Sequence, residues 1–101
     1  MSKQVIEMVT YKLNDGMDKD AFIKAALAMN PWIEAQPGFL QRRLSCAEDG
    51  TWIEHVHWTD MASAKAAAAG IGSDPANAEA LAAIAGPSVQ VSHSELEIMI
   101  N

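Results

Sequence analysis

Residues 39–59, FLQRRLSCAEDGTWIEHVHWT, decide the fold. Two strand-like runs, Phe39 to Cys46 and Thr51 to Thr59, flank Glu48-Asp49-Gly50, and Asp-Gly between such runs is a strong hairpin signal. They predict the second and third strands. Upstream, Gln4 to Leu13 (QVIEMVTYKL) is rich in β-branched and aromatic residues and runs into Asn14-Asp15-Gly16, which predicts a first strand and its turn. Asp18 reads as an N-cap for a helix in which Phe22, Ile23, Ala26, Leu27 and Ile33 recur at helical spacing. Pro31 falls inside that pattern and predicts a kink or break, and Gln36-Pro37-Gly38 ends it. Downstream, Thr59 or Asp60 can cap an alanine-rich helix (MASAKAAAAG), and Asp74-Pro75 opens a shorter one that closes at Gly86-Pro87. Ser88 to Ile100 (SVQVSHSELEIMI) predicts the last strand. Its apolar phase switches from Val89 and Val91 to Leu96, Ile98 and Ile100, which implies a bulge near His93 to Glu95.

The resulting order, β-α-β-β-α-β, is the split βαβ arrangement: one ferredoxin-like α+β domain over residues 1–101, an antiparallel sheet with helices on one face. Val5, Val9, Tyr11, Trp52, Val56 and Trp58 share one face of that sheet, and more apolar residues occupy the other. The helices supply only one cover. Leaving two tryptophans, a tyrosine and several valines in water would create an apolar patch larger than a monomer tolerates. The sequence therefore predicts an obligate homodimer, sheet face against sheet face across a two-fold axis, with a pocket between the paired sheets.

At 101 residues, 50% hydrophobic and 20% charged, the chain has material for one core and no separate cofactor domain. A formal net charge of −6 argues against nucleic acid as a partner. One cysteine, Cys46, cannot form an internal disulfide, the start MSKQVIEM has no leader pattern, and no apolar run approaches the ~20 residues of a membrane span. The expectation is a reduced, cytoplasmic protein that is not in a membrane.

Glu7 and Glu54 are the sharpest chemical features, because each interrupts an apolar stripe on the face of Val9 and Trp58. A carboxylate held among aromatic side chains has its charged form destabilised, which makes it a usable proton carrier near neutral pH. The competing reading places them at a sheet end, solvated or paired with Arg42 or Arg43. His93 lies on a strand that this topology sets beside the first, one strand spacing from Glu7, and a Glu-His pair would make a general base; a lone strand histidine is more often structural. Tyr11, Trp52 and Trp58 are expected to line a substrate cavity or to fill the dimer core. His55 and His57 are expected on the opposite face, toward the alanine-rich helices; His-x-His without a third ligand does not make a metal site. Gly70-Ile71-Gly72 follows a helix and lacks a third glycine, so no nucleotide site is expected.

Residues 51–63, TWIEHVHWTDMAS, in which a strand ends in tryptophan and opens a helix, resemble the dimeric α+β barrel family of antibiotic biosynthesis monooxygenases. Trp58 carries the likeness. VTYKLNDGM at Val9 to Met17, Pro37-Gly38-Phe39 and EDGTW at Glu48 to Trp52 also fit small members, so it spans nearly the whole chain. The resemblance implies a pocket on the concave face of each sheet, under the partner, and in some members a cofactor-independent oxidation of an aromatic or quinol-like substrate. Heme-degrading relatives join a tryptophan matching Trp58 to an asparagine and a histidine; here the asparagine position is Val9, and Ala66 to Ala69 and Ala76 to Ala85 contain no histidine, which argues against that activity. The expected function is a small enzyme without cofactor or metal, acting as a monooxygenase-like oxidant of a hydrophobic aromatic or polyketide-like substrate. Glu7, Glu54 and His93 would move protons, and Tyr11, Trp52 and Trp58 would shape the pocket. The alternative is a non-catalytic dimer that binds a small hydrophobic molecule.

Overall fold

The structure, a computed structural model, describes residues 3–101. Its strands are β1 (Val5–Tyr11), β2 (Phe39–Cys46), β3 (Trp52–Trp58) and β4 (Gln90–Glu95), and its helices α1 (Lys19–Leu27), α2 (Asn30–Glu34), α3 (Met61–Gly70) and α4 (Ala78–Ala83). The four strands form one antiparallel sheet in the order β2-β3-β1-β4. This is the ferredoxin-like arrangement expected from the sequence.

The local signals explain where elements start and stop. The Asp18 carboxylate accepts from Ala21 N–H at 2.9 Å and opens α1, and Asp60 accepts from Ser63 N–H at 2.8 Å and opens α3. Pro31 breaks the first helical segment as expected: α1 stops at Leu27, and the proline sits in the first turn of α2, where its missing N–H costs nothing. Gly38, between α2 and β2, has φ +85°, and a Cβ there would lie 2.5 Å from Ser63 Oγ. A glycine is required by both the backbone and the space.

The register pairs Val5 with Trp58, Glu7 with Val56, Val9 with Glu54 and Tyr11 with Trp52, so all eight side chains share one face. That face lies under the helices. Phe22, Ala25, Ala26, Ala80 and Ala83 pack on Tyr11 and Trp52, while Ile33, Ala64 and Ala67 pack on Val5, Val56 and Trp58. The expectation that this aromatic face meets a partner is thus overturned. The physical reason is volume: helices whose inner positions are alanine leave a thick gap above the sheet, and only large strand side chains fill it.

The uncovered face carries Ile6, Met8, Thr10, Ile53, His55 and His57. His55 and His57 therefore point away from the alanine-rich helices rather than toward them. The last strand is also shorter than expected. β4 keeps an unbroken register with β1 from Gln90 to Glu95, without a bulge at His93, and the irregularity lies instead in β2, between Phe39 and Gln41. After Glu95 the chain leaves the sheet: Leu96 N–H donates to Gln4 O at 2.8 Å, and Ile98 and Ile100 beyond it are 82% and 91% exposed. The change of apolar phase marks the end of the strand.

Candidate active site

Between the helices and the inner face of the sheet lies a cavity of ≈ 340 Å³. Val9, Val56 and Trp58 contribute to its floor, and Met29, Trp32 and Ile71 to its helical side. The polar residues on it are Glu7, Tyr11, Arg42 and Glu54. It sits within one chain, under the helices, and not between paired sheets as the sequence analysis expected. The turn of the aromatic face toward the helices accounts for this.

Glu7 is 8% exposed, and both of its oxygens are engaged. Trp58 Nε1–H donates to Oε1 at 3.2 Å, and His93 Nε2 lies 3.1 Å from Oε2. β1 and β4 place Glu7 and His93 directly opposite one another, so the contact follows from register alone. His93 stands behind Glu7 rather than on the cavity wall, and its side chain is 19% exposed.

Glu54 occupies the adjoining rung, across from Val9. Arg42 Nε donates to its Oε1 at 2.7 Å, and Arg42 Nη1 donates to Ala26 O and to Asn30 Oδ1, each at 2.8 Å. The guanidinium thus ties β2 to the carbonyl end of α1, where a cation is favourable. The other carboxylate oxygen, Glu54 Oε2, is buried without a hydrogen-bond partner. Burial holds the Glu54 carboxyl above the ordinary glutamate range; the Arg42 charge opposes this and the Glu7 charge adds to it. Burial, with the Glu54 charge beside it, likewise pushes the Tyr11 hydroxyl well above the usual tyrosine range.

Of the residues singled out from the sequence, the structure brings Glu7, Tyr11, Glu54 and Trp58 to one cavity and sets His93 against Glu7. It does not bring Trp52 there. That ring packs edge-on against Phe22, at 4.8 Å between centroids, and lines a separate outer groove beside Lys19. Arg42 appeared in the sequence analysis only as an ion-pair partner. A signal did exist: adjacent arginines on a strand cannot share a face, so either Arg42 or Arg43 had to point inward. Among the described residues, no cluster of three or more His, Cys, Asp and Glu side chains gathers to hold a metal ion.

No family model matches the sequence, and no curated protein matches it. Solved structures do. SnoaB, a cofactor-independent oxygenase from Streptomyces nogalater, superposes in a mutant form with a TM-score of 0.77 at 16% identity, over 98% of each chain. An antibiotic biosynthesis monooxygenase-like protein from Chloroflexus aurantiacus matches with a TM-score of 0.68 at 16% identity, over 97% of each chain. A dimeric ferredoxin-like protein of unknown function from Jannaschia sp. matches with a TM-score of 0.68 at 14% identity, over 92% of this chain and 99% of that one. At such identities the likeness is one of fold. The chain has the ferredoxin-like α+β fold of the antibiotic biosynthesis monooxygenase-like proteins, as the residues around Trp58 suggested.

Proposed function

We propose that the protein is a homodimeric, cofactor-independent oxygenase acting on a hydrophobic aromatic or polyketide-like substrate in the cavity beneath its helices. One observation carries this reading: a buried carboxylate, Glu7, opens on a largely apolar cavity and is held from behind by a histidine that reaches solvent. Glu7 accepts a proton from a phenolic or enolic substrate. His93 takes it on toward water at the β4 edge, and the Trp58 N–H fixes the carboxylate between them. The electron-rich carbanion then combines with dioxygen, and the peroxide formed loses water, so that CH₂ and O₂ become C=O and H₂O. Oxygen is the oxidant, and the chain supplies position and proton transfer.

The test is oxygen uptake with a panel of hydroxylated naphthalenes and anthrones. Wild-type protein should consume oxygen, and Glu7→Gln should lower the rate by roughly 10²-fold or more. Uptake unchanged in Glu7→Gln would sink the proposal.

A second reading, a non-catalytic binding dimer, is favoured by the full internal satisfaction of the two Glu7 oxygens. It predicts tight ligand binding without oxygen uptake. The dimer common to both readings is supported by the uncovered sheet face, where Met8 is 39% exposed, and by the exposed apolar tail beyond β4. Proton transfer by Glu54 belongs to the same proposal.

A further inference from the structure

The polar groups of the cavity divide into two sets. Toward one end, Glu7, Trp58 and His93 satisfy one another. Toward the other, Glu54 Oε2 is buried without a partner, and the Tyr11 hydroxyl takes no part in the bonds that tie Arg42 to Glu54 and Trp58 and His93 to Glu7. Both residues line the cavity. They are diagonal neighbours across β1 and β3, because Val9 pairs with Glu54 and Tyr11 follows Val9 by one rung. Buried polar atoms are almost always hydrogen-bonded, and Glu54 Oε2, left bare on a cavity wall, calls for an explanation outside the chain.

We propose that Tyr11 and Glu54 form the polar anchor for a ligand hydroxyl, which accepts from Tyr11 Oη–H and donates to Glu54 Oε2, with Arg42 as the positioning residue that fixes the carboxylate. The anchor selects ligands that carry a hydroxyl over their unsubstituted parents. Their anchoring hydroxyl lies at the Tyr11 end, and their reacting carbon lies toward Glu7, four residues back along β1, or about 13 Å at 3.3 Å per residue. A hydroxyl suits this anchor because it donates and accepts at once. Tyr11 stays protonated across the physiological range and so remains a donor. The Glu54 carboxyl turns on a soft terminal torsion, which brings Oε2 to the incoming hydroxyl. Tyr11, expected from the sequence to serve as an aromatic wall, becomes a hydrogen-bond donor.

This inference rests on the cavity being a ligand site, and the test separates the two. Binding of naphthalene and of 2-naphthol is measured by tryptophan fluorescence or calorimetry on the wild-type protein, Tyr11→Phe and Glu7→Gln. Wild type should prefer 2-naphthol by about tenfold. Tyr11→Phe should lose roughly three- to tenfold of that preference while binding naphthalene within about twofold of wild type. Glu7→Gln should retain the preference. Tyr11→Phe should also melt at or above the wild-type temperature, because no internal bond is lost. A preference that survives Tyr11→Phe, or that vanishes in Glu7→Gln, overturns the anchor while leaving the cavity as a site. Failure of both probes to bind wild type overturns the cavity reading and the anchor with it.

Discussion

Glu54 and Glu7 are both glutamates on the inner face of the sheet, yet their surroundings differ. Glu7 is bonded at both oxygens, whereas Glu54 is bonded at one and left bare at the other. Burial raises the Glu54 pKa, so the folded protein binds its proton more tightly than the unfolded chain does. The stability this contributes is complete below the unfolded pKa, about 4.3, and is lost as pH rises through the folded value. Thermal melts of wild type and Glu54→Gln from about pH 4 upward should therefore show wild type losing ground to the variant; parallel curves would remove the assignment. Replacing both partners, Arg42→Met with Glu54→Met, should be neutral or stabilising, whereas Glu54→Leu alone leaves a buried guanidinium and should cost about 3 kcal/mol in denaturant titrations. At the other carboxylate, Trp58→Phe removes the donor to Glu7 Oε1 and should cost about 1–3 kcal/mol, less in a Glu7→Gln background. The adjacent arginines say that one of Arg42 and Arg43 points inward but not which, and the hold of Arg42 on Ala26 and Asn30 was not legible, since those partners lie 16 and 12 residues away in the chain.

Among the elements, the hairpin and the helix starts were legible because their signals lie within a few residues: Asp-Gly in the turn, Asp18 and Asp60 as caps, Pro31 at a first turn. Gly38 is the element-scale position most open to test. Its positive φ and the crowding by Ser63 and Thr59 hold α2, β2 and the start of α3 in place. Gly38→Ala should cost about 1–3 kcal/mol from backbone strain alone, read as a fall in denaturation midpoint, whereas Gly16→Ala, with open space around it, should carry only the strain component. Equal losses at the two sites would show that Ser63 and Thr59 yield without cost. β4 was read too long because its apolar residues continue past Glu95; only its pairing with β1 shows where the ladder ends.

For the whole molecule, the sheet remains open on the side that carries Ile6, Met8 and Ile53, and Ile98 and Ile100 extend past the sheet into solvent. A second copy would cover that apolar surface at the cost of one interface. Light scattering on the purified protein should give twice the chain mass, and the pair Met8→Arg with Ile53→Arg should return it to one. A wild-type mass of one chain at micromolar concentration would refute the dimer. No helix among the described residues is long and apolar enough to cross a membrane.

The sequence by itself determined the element order, the turns and the broken first helix, since each follows from local chemistry, and it set His93 on the strand beside Glu7; their contact was decided by the β1–β4 register, which runs without the expected bulge. The tertiary structure alone decided which sheet face the helices cover, and with it the place of the cavity, the outward turn of His55 and His57, and the exclusion of Trp52. Alternation along a strand says that residues fall on two faces, but large apolar residues fall on both here, so the pattern alone does not make that choice. What breaks the symmetry is volume. Alanine-lined helices can close only over the face that supplies Tyr11, Trp52 and Trp58, and that match exists only once strands and helices far apart in the chain are brought together.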